Sequence, residues 1–296
     1  MAKKDSSMSP ARKKVALVTG GSSGIGYATA IELAKRGYKV YAAARRLEPM
    51  NELKRHEIIP VKLDVVDLED IKHIKELIER ENDGYLDLLF NNAGQACNSM
   101  AIDVPDEWMK QCFEVNVYGP IRVTRELAPL FIKAKGTVAF TGSVAGIMPF
   151  IRASMYSASK AAISSYCEIL EIELKPLGVK VVHFYTGAVQ TAIADNRTPP
   201  QDSYYNVPEM VQSEEERKDA FSKMPVEVYA KKTIDDIESQ TLGGNPHRYR
   251  GKSASFAWIL SAVLPWSLIE YVTIRNLKLD TAFKAVEKKY KSLKYD

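Results

Sequence analysis

Residues 19–26 read Thr19-Gly20-Gly21-Ser22-Ser23-Gly24-Ile25-Gly26, set between the apolar run Val15-Ala16-Leu17-Val18 and a helical pattern from Tyr27 to Arg36. A short apolar run that stops at glycine reads as a buried strand, and the helix beyond it turns its N-terminus and the positive end of its dipole toward the loop. Gly20 permits the tight turn, Gly24 lets a ligand approach the backbone, and Gly26 removes the Cβ where helix and strand pack. Strand, glycine turn and helix in this order make a pyrophosphate site, whereas the turn alone is also a plain strand-to-helix connection. Downstream, short apolar runs alternate with helical patterns. That alternation predicts an α/β fold, a Rossmann-type doubly wound parallel sheet covered on both faces within a single domain.

Polar residues gather at the ends of the other expected strands. Asn91-Asn92-Ala93-Gly94 follows Leu88-Leu89-Phe90, where the plain alternative is a turn, and Ser143 closes the run Thr137-Val138-Ala139-Phe140-Thr141. Open α/β sheets take their ligands at this C-terminal edge. In Tyr156-Ser157-Ala158-Ser159-Lys160 the four-residue spacing puts Tyr156 and Lys160 on one helix face. A tyrosine alone titrates near 10, and an adjacent ammonium favours its phenolate; a downward shift of about three units asks for about 4 kcal/mol. The same spacing also occurs on solvated helix faces, and Asn116 by itself is compatible with a polar helix position.

Taken together, Gly20-x-x-x-Gly24-x-Gly26, Asn91-Asn92-Ala93-Gly94, Asn116, Ser143 and Tyr156-x-x-x-Lys160, with thirteen residues from Ser143 to Tyr156, resemble the short-chain dehydrogenase/reductase family over residues 13–250. Tyr41-Ala42-Ala43-Ala44-Arg45-Arg46-Leu47-Glu48-Pro49-Met50, Asn91-Asn92-Ala93-Gly94-Gln95 and Tyr185-Thr186-Gly187-Ala188-Val189 are similar to its fungal branch that reduces 1-acyl-dihydroxyacetone phosphate with NADPH in glycerolipid and ether-lipid synthesis. The resemblance implies that Tyr156 protonates a carbonyl oxygen as hydride reaches its carbon. It further implies that Ser143 polarises that carbonyl, Lys160 bonds the nicotinamide ribose, and Asn116 holds a water against Lys160. It places the cofactor against Thr19, Gly20, Ser22, Ser23, Gly24, Ile25 and Gly26, against Asn92, Ala93 and Gly94, and against Gly187, Val189 and Thr191. Asp64 falls where the family contacts the adenine amino group, and dimers or tetramers are the usual assembly, so a homo-oligomer is expected. Where an NAD-binding chain carries an acid after its second strand, this one has Ala44, Arg45 and Arg46. Arginine forks bind a 2′-phosphate, which predicts NADPH; the plain alternative is a solvated Arg pair. Thr186-Gly187 departs from the family's Pro-Gly.

Two rival functions share these residues. Gly20-x-Ser22-x-Gly24 also fits a serine-hydrolase elbow, whose base would have to be His56, His73, His183 or His247. A scaffold that binds cofactor without turnover is the other, although it has no need of a proton donor. Within the reductase reading, a steroid, retinoid or sphingoid ketone is the alternative substrate.

With 46% apolar and 26% charged residues in 296, the composition is that of an ordinary globular protein. Three cysteines, Cys97, Cys112 and Cys167, lack metal-ligand spacing and make no disulfide framework, so no metal is expected. The net charge of +4 is too small and scattered for nucleic acid. Residues 1–12 read as a flexible basic arm without the apolar stretch of a signal peptide, 13–252 as the reductase domain, and the polar, Pro-punctuated segment 187–225 as a substrate lid. Arg152 and Arg197 lie in segments that could border the substrate. Residues 253–269 carry no charge and include Trp258, Pro265 and Trp266, and seven Lys or Arg against three acids occupy 271–296. Seventeen residues fall short of the about 20 that a span needs. An interfacial anchor at a membrane or lipid-droplet surface is therefore expected from 253–296, with packing into the core or a dimer as the alternative. The cytosolic face of the endoplasmic reticulum and lipid droplets is the location this implies.

Overall fold

The computed structural model describes residues 12–191, 193, 200–218 and 222–293. Most of the expected basic arm, Arg197 and part of the expected lid lie outside these residues. Arg12 is not free. Its guanidinium makes two bonds of 2.7 Å to Asp87, whose carboxylate also accepts from the Val15 N–H at 2.7 Å.

Seven parallel strands form one sheet in the order β3-β2-β1-β4-β5-β6-β7: β1 (Val15–Thr19), β2 (Lys39–Ala44), β3 (Ile59–Lys62), β4 (Leu88–Asn91), β5 (Thr137–Thr141), β6 (Lys180–Thr186) and β7 (His247–Arg250). The strand order reverses about β1 and β4, so a crevice opens beyond their C-terminal ends. β1 shows why the sheet is covered twice. Val15 and Leu17 join Ile71, Leu127 and Ile163 of α2 (Leu68–Glu81), α4 (Gly119–Ala134) and α5 (Ser154–Leu174), separated in the chain by α3 (Asp106–Phe113). Ala16 and Val18 point the other way, onto Ala30 and Leu33 of α1 (Gly24–Lys35) and, past α6 (Pro208–Lys218), Ile234 and Ile237 of α7 (Val226–Ser239). Period-two alternation on a doubly covered strand buries every residue, and each large aliphatic side chain so buried contributes about 1.5–3 kcal/mol.

The chain after β7 forms α8 (Ala254–Val263), α9 (Trp266–Asn276) and α10 (Asp280–Leu293), with Pro265 capping α9. No helix among the described residues is long and apolar enough to cross a membrane. The three helices do not share one environment. Ala254 is buried with Val144 and Tyr185, while Phe256, Trp258, Ile259, Val263, Trp266 and Leu268 are exposed. By contrast, Ala282 of α10 and Leu279 just before it pack with Val207 and Met210 of the lid segment and with Met100. Lys289 adds bonds to the carbonyls of Ser203 (3.1 Å) and Asn206 (3.2 Å). The apolar stripe of α10 thus meets protein.

Candidate active site

The glycine loop is held by the Asn-Asn-Ala-Gly turn. Thr19 Oγ1 accepts from the N–H groups of Asn92 and Ala93, each at 3.0 Å. Asn92 Nδ2 donates to the Thr19 carbonyl at 3.0 Å, and its Oδ1 accepts from Thr141 Oγ1 at 3.1 Å. One side chain thus ties together the ends of β1, β4 and β5. Gly20 has φ +68, and a Cβ there would lie 2.9 Å from Ala93 Cα. A Cβ on Gly26 would collide with the Gly20 carbonyl. Ser23 caps α1 in extended conformation without a side-chain capping bond, so the first turn keeps its N–H groups beside the cavity.

That cavity measures about 730 Å³. Arg45, Arg46 and Asp64 border it, as do Ser22, Ser23, Gly24 and Ile25 of the loop, Asn92 to Gly94, Gly187, Val189 and Thr191, and Ser143, Tyr156 and Lys160. Three expected site residues are not on its wall. Thr19 and Gly26 act by building the loop, and Asn116 is buried behind it. Asn116 sits in a wide π-helical turn, Glu114–Tyr118, of a kind that recurs at functional sites. It accepts from the Gln95 N–H at 2.9 Å and donates to the Gln95 carbonyl at 3.0 Å and to Ser159 Oγ at 3.1 Å.

Lys160 is 5% exposed and donates to the Thr141 carbonyl at 2.8 Å. Burial lowers its pKa to about 8. Burial raises the pKa of Tyr156, and a hydrogen bond with Ser143 pulls partly against it. The Lys160 ammonium lies 5.7 Å from the Tyr156 ring centre and is engaged by the Thr141 carbonyl. Near neutral pH Tyr156 carries its proton, as a donor must. Ser143 Oγ also accepts from the Ala145 N–H at 3.1 Å, which fixes the hydroxyl at the end of β5.

Gln95, Gln111 and Val115 also line the cavity. Gln95 follows the Asn-Asn-Ala-Gly turn directly, a signal that position alone provides. Where the family's proline is missing, Thr186 Oγ1 bonds Tyr229 Oη at 2.6 Å, and a Cβ on Gly187 would strike the Lys252 carbonyl, so the hinge is fixed by packing. No histidine borders the cavity, which leaves Ser22 without the base that a hydrolase elbow requires. Among the described residues no cluster of His, Cys, Asp and Glu is arranged to hold a metal.

This cavity at a parallel sheet's switch point, with Asn116, Ser143, Tyr156 and Lys160 brought together, has a counterpart in known proteins: residues 14–202 match the short chain dehydrogenase family. The chain belongs to that family and is an oxidoreductase. It is 44% identical over 290 residues, 95% of this chain and 96% of the relative, to the NADPH-dependent 1-acyldihydroxyacetone phosphate reductase of Saccharomyces cerevisiae. Among solved structures, a short-chain dehydrogenase from Streptomyces avermitilis superposes with a TM-score of 0.73 at 24% identity, covering 92% of this chain and 98% of that one. A Burkholderia cenocepacia short chain dehydrogenase solved in complex with NADP gives 0.68 at 25% identity, covering 87% of this chain and 96% of its own.

Proposed function

We propose that this enzyme uses NADPH to reduce the ketone of 1-acyl-dihydroxyacetone phosphate to 1-acyl-glycerol 3-phosphate in glycerolipid synthesis. The observation that carries the reading is one cavity bordered by Arg45 and Arg46 as well as by Ser143, Tyr156 and Lys160, in a chain 44% identical to a reductase of that name. The residues fit the cofactor: the left-handed Gly20 cradle and uncapped start of α1 suit a pyrophosphate, and the two arginines suit a 2′-phosphate. When bound, the reduced nicotinamide would supply a hydride. The protein's share is then to bind and protonate. Ser143 presents its hydroxyl to the substrate oxygen, and Tyr156 passes its phenolic proton to that oxygen. Lys160, held on the Thr141 carbonyl, offers its remaining N–H groups toward the cofactor ribose, and Asn116 keeps the wall at Gln95 in place.

An NADPH-oxidation assay over a panel of lipid ketones in detergent tests this reading. Preferred turnover of the acyl-dihydroxyacetone phosphate is expected, and preference for a steroid, retinoid or sphingoid ketone would reassign the substrate. Binding of cofactor with no turnover of any of them would favour a scaffold.

Attachment to a lipid surface belongs to the same proposal. The exposed apolar side of α8 and α9 supports it, with a monolayer or the cytosolic leaflet of the endoplasmic reticulum as the surface met. Because Ala254 is core, the clean test replaces Phe256, Val263 and Trp266 by Ser and follows vesicle flotation. Self-association is proposed for the outer side of α5, where Ile169 and Ile172 are exposed, and sedimentation measures it.

A further inference from the structure

The face of α5 that carries Tyr156 and Lys160 continues past them. Tyr156, Lys160, Ser164 and Glu168 follow at four-residue intervals, and each meets a group on the sheet or just beyond its edge. Tyr156 bonds Ser143, and Lys160 bonds the Thr141 carbonyl. Ser164 shares a short hydroxyl contact with Tyr185, and Glu168 Oε1 lies 3.0 Å from His247 Nε2. His247 then meets His183, its register partner on β6, with Nδ1 to Nδ1 at 3.3 Å. Carbonyl reduction uses only the first two of these contacts.

The contacts fix where the protons are. A carboxylate only accepts, so His247 carries N–H on Nε2 toward Glu168. With His247 neutral, its Nδ1 is a lone pair, and His183 must donate from Nδ1. His183 Nε2 is then a bare lone pair, buried and without a partner among the described residues. It abuts Gly142, where a Cβ would overlap it. Gly142 stands between Thr141, whose carbonyl holds Lys160, and Ser143.

We propose that Glu168, His247 and His183 form a proton-operated positioning relay behind the catalytic end of β5. When one proton is taken up from solvent, His247 holds N–H on both nitrogens and donates from Nδ1 to His183. His183 loses its Nδ1–H and gains Nε2–H by exchange with solvent during local opening. Two N–H groups and one proton become three N–H groups, and the positive charge rests on His247 beside the carboxylate. His247 and Glu168 supply the solvent end, with side chains 16% and 52% exposed, and His183 is the inner end at 0%. Burial and the neighbouring His247 hold the His183 pKa down at about 3, which keeps the charge off the inner ring.

The titratable groups facing the pair are Lys160, Cys167 and Glu168 on α5, Tyr185 on β6 and Tyr249 on β7; burial holds the Cys167 thiol and both phenols protonated. The loaded relay turns an N–H toward Gly142 and sets a like charge behind Lys160. Both disturb the segment that aligns Lys160 and Ser143, so turnover is expected to fall as His247 gains its proton. His183 and His247 are positioning residues; neither borders the cavity.

Nitrogen-15 NMR of the full chain, with and without NADP, reads the relay without reference to any substrate, and the pH profile of kcat reads its effect on turnover, so failure of the relay and failure of the proposed reaction are told apart. At high pH His183 is expected to carry hydrogen on Nδ1 only. As pH falls, that hydrogen should pass to Nε2 as His247 becomes doubly protonated. Glu168→Gln, at a half-exposed position, should move the transition toward lower pH, since the amide no longer favours the charged ring, and the acid limb of kcat should move with it. His247→Gln should erase that limb while leaving NADPH affinity unchanged. Hydrogen on His183 Nε2 at every pH would overturn the relay, as would an acid limb that stays in place in Glu168→Gln.

Discussion

The ends of β1 to β6 and the chain beyond β7 solve different physical problems. In the first region each residue has one reason to be what it is: Gly26 because the Gly20 carbonyl occupies the space of a Cβ, Asn92 because three strand ends need one amide between them. In the second region the same apolar helix face can be covered by protein or by lipid. Phe256 and Trp266 stand exposed, whereas Leu279 and Ala282, a few residues on, are fully buried. Steric and hydrogen-bond requirements specify single residues, and hydrophobic burial specifies only a pattern.

Changes in the first region should therefore alter chemistry while sparing surface attachment. Tyr156→Phe has the largest expected effect. It removes the proton donor and keeps the ring, so turnover should fall at least about a hundredfold, near 3 kcal/mol of transition-state stabilisation, with NADPH affinity nearly intact. Stopped-flow hydride transfer and cofactor titration measure the two separately. Arg45→Ala with Arg46→Ala comes next: loss of about 1.5–3 kcal/mol of charged hydrogen bonding should weaken NADPH about tenfold to a hundredfold while NADH hardly changes. Equal weakening of both nucleotides would break the assignment of these arginines to a 2′-phosphate.

A third change turns function against stability. The Lys160 pKa falls from 10.5 to about 8 in the fold because burial disfavours the ammonium. The native state therefore sheds its proton before the unfolded chain does. The cost is fully present below pH 8, and stability recovers as pH rises from 8 to 10.5. A shift of this size corresponds to about 3 kcal/mol, and losing the bond to Thr141 takes back about 1 kcal/mol. Lys160→Met should consequently abolish turnover yet raise neutral-pH stability of the cofactor-free protein by about 1–2 kcal/mol, an advantage that disappears by pH 10.5. Denaturant melts at pH 7 and 10.5 read it directly.

The same contrast explains what could be read before the fold was known. The strand, glycine turn and helix at 15–36 were legible because a left-handed turn and a close helix contact admit few residues. Asn116 was legible only through the family pattern, since nothing around it in sequence says that it clamps Gln95. The four-residue spacing reports that Tyr156 and Lys160 share a helix face but not that the Thr141 carbonyl engages the ammonium. Thr186 stands in place of proline because Tyr229, more than forty residues away, supplies its partner. For α10 the spacing of Leu279, Ala282, Phe283 and Val286 predicts an amphipathic helix but not which surface it meets. Met210 and Val207 decide that, and they belong to a segment whose packing no local pattern reveals.

The smallest expected effect belongs to the tail. Lys284, Lys288 and Lys291 are exposed on α10, while Lys289 is engaged by the carbonyls of Ser203 and Asn206. If α8 and α9 lie against a leaflet, the first three lysines stand within reach of anionic headgroups, and each contributes up to about 1 kcal/mol at low salt. Changing these three to Gln should weaken binding to vesicles containing phosphatidylserine, and rising salt should shrink the difference. Neutral vesicles should respond little, because apolar burial by Phe256, Val263 and Trp266 would carry that binding. Lys289→Gln sharpens the contrast: its charge is spent on the lid, so it should loosen residues 200–213 in hydrogen exchange more than it weakens vesicle binding. If all four substitutions act alike on vesicles, α10 is not docked on the lid when the protein meets lipid, and the division drawn between the two parts of the C-terminal extension fails.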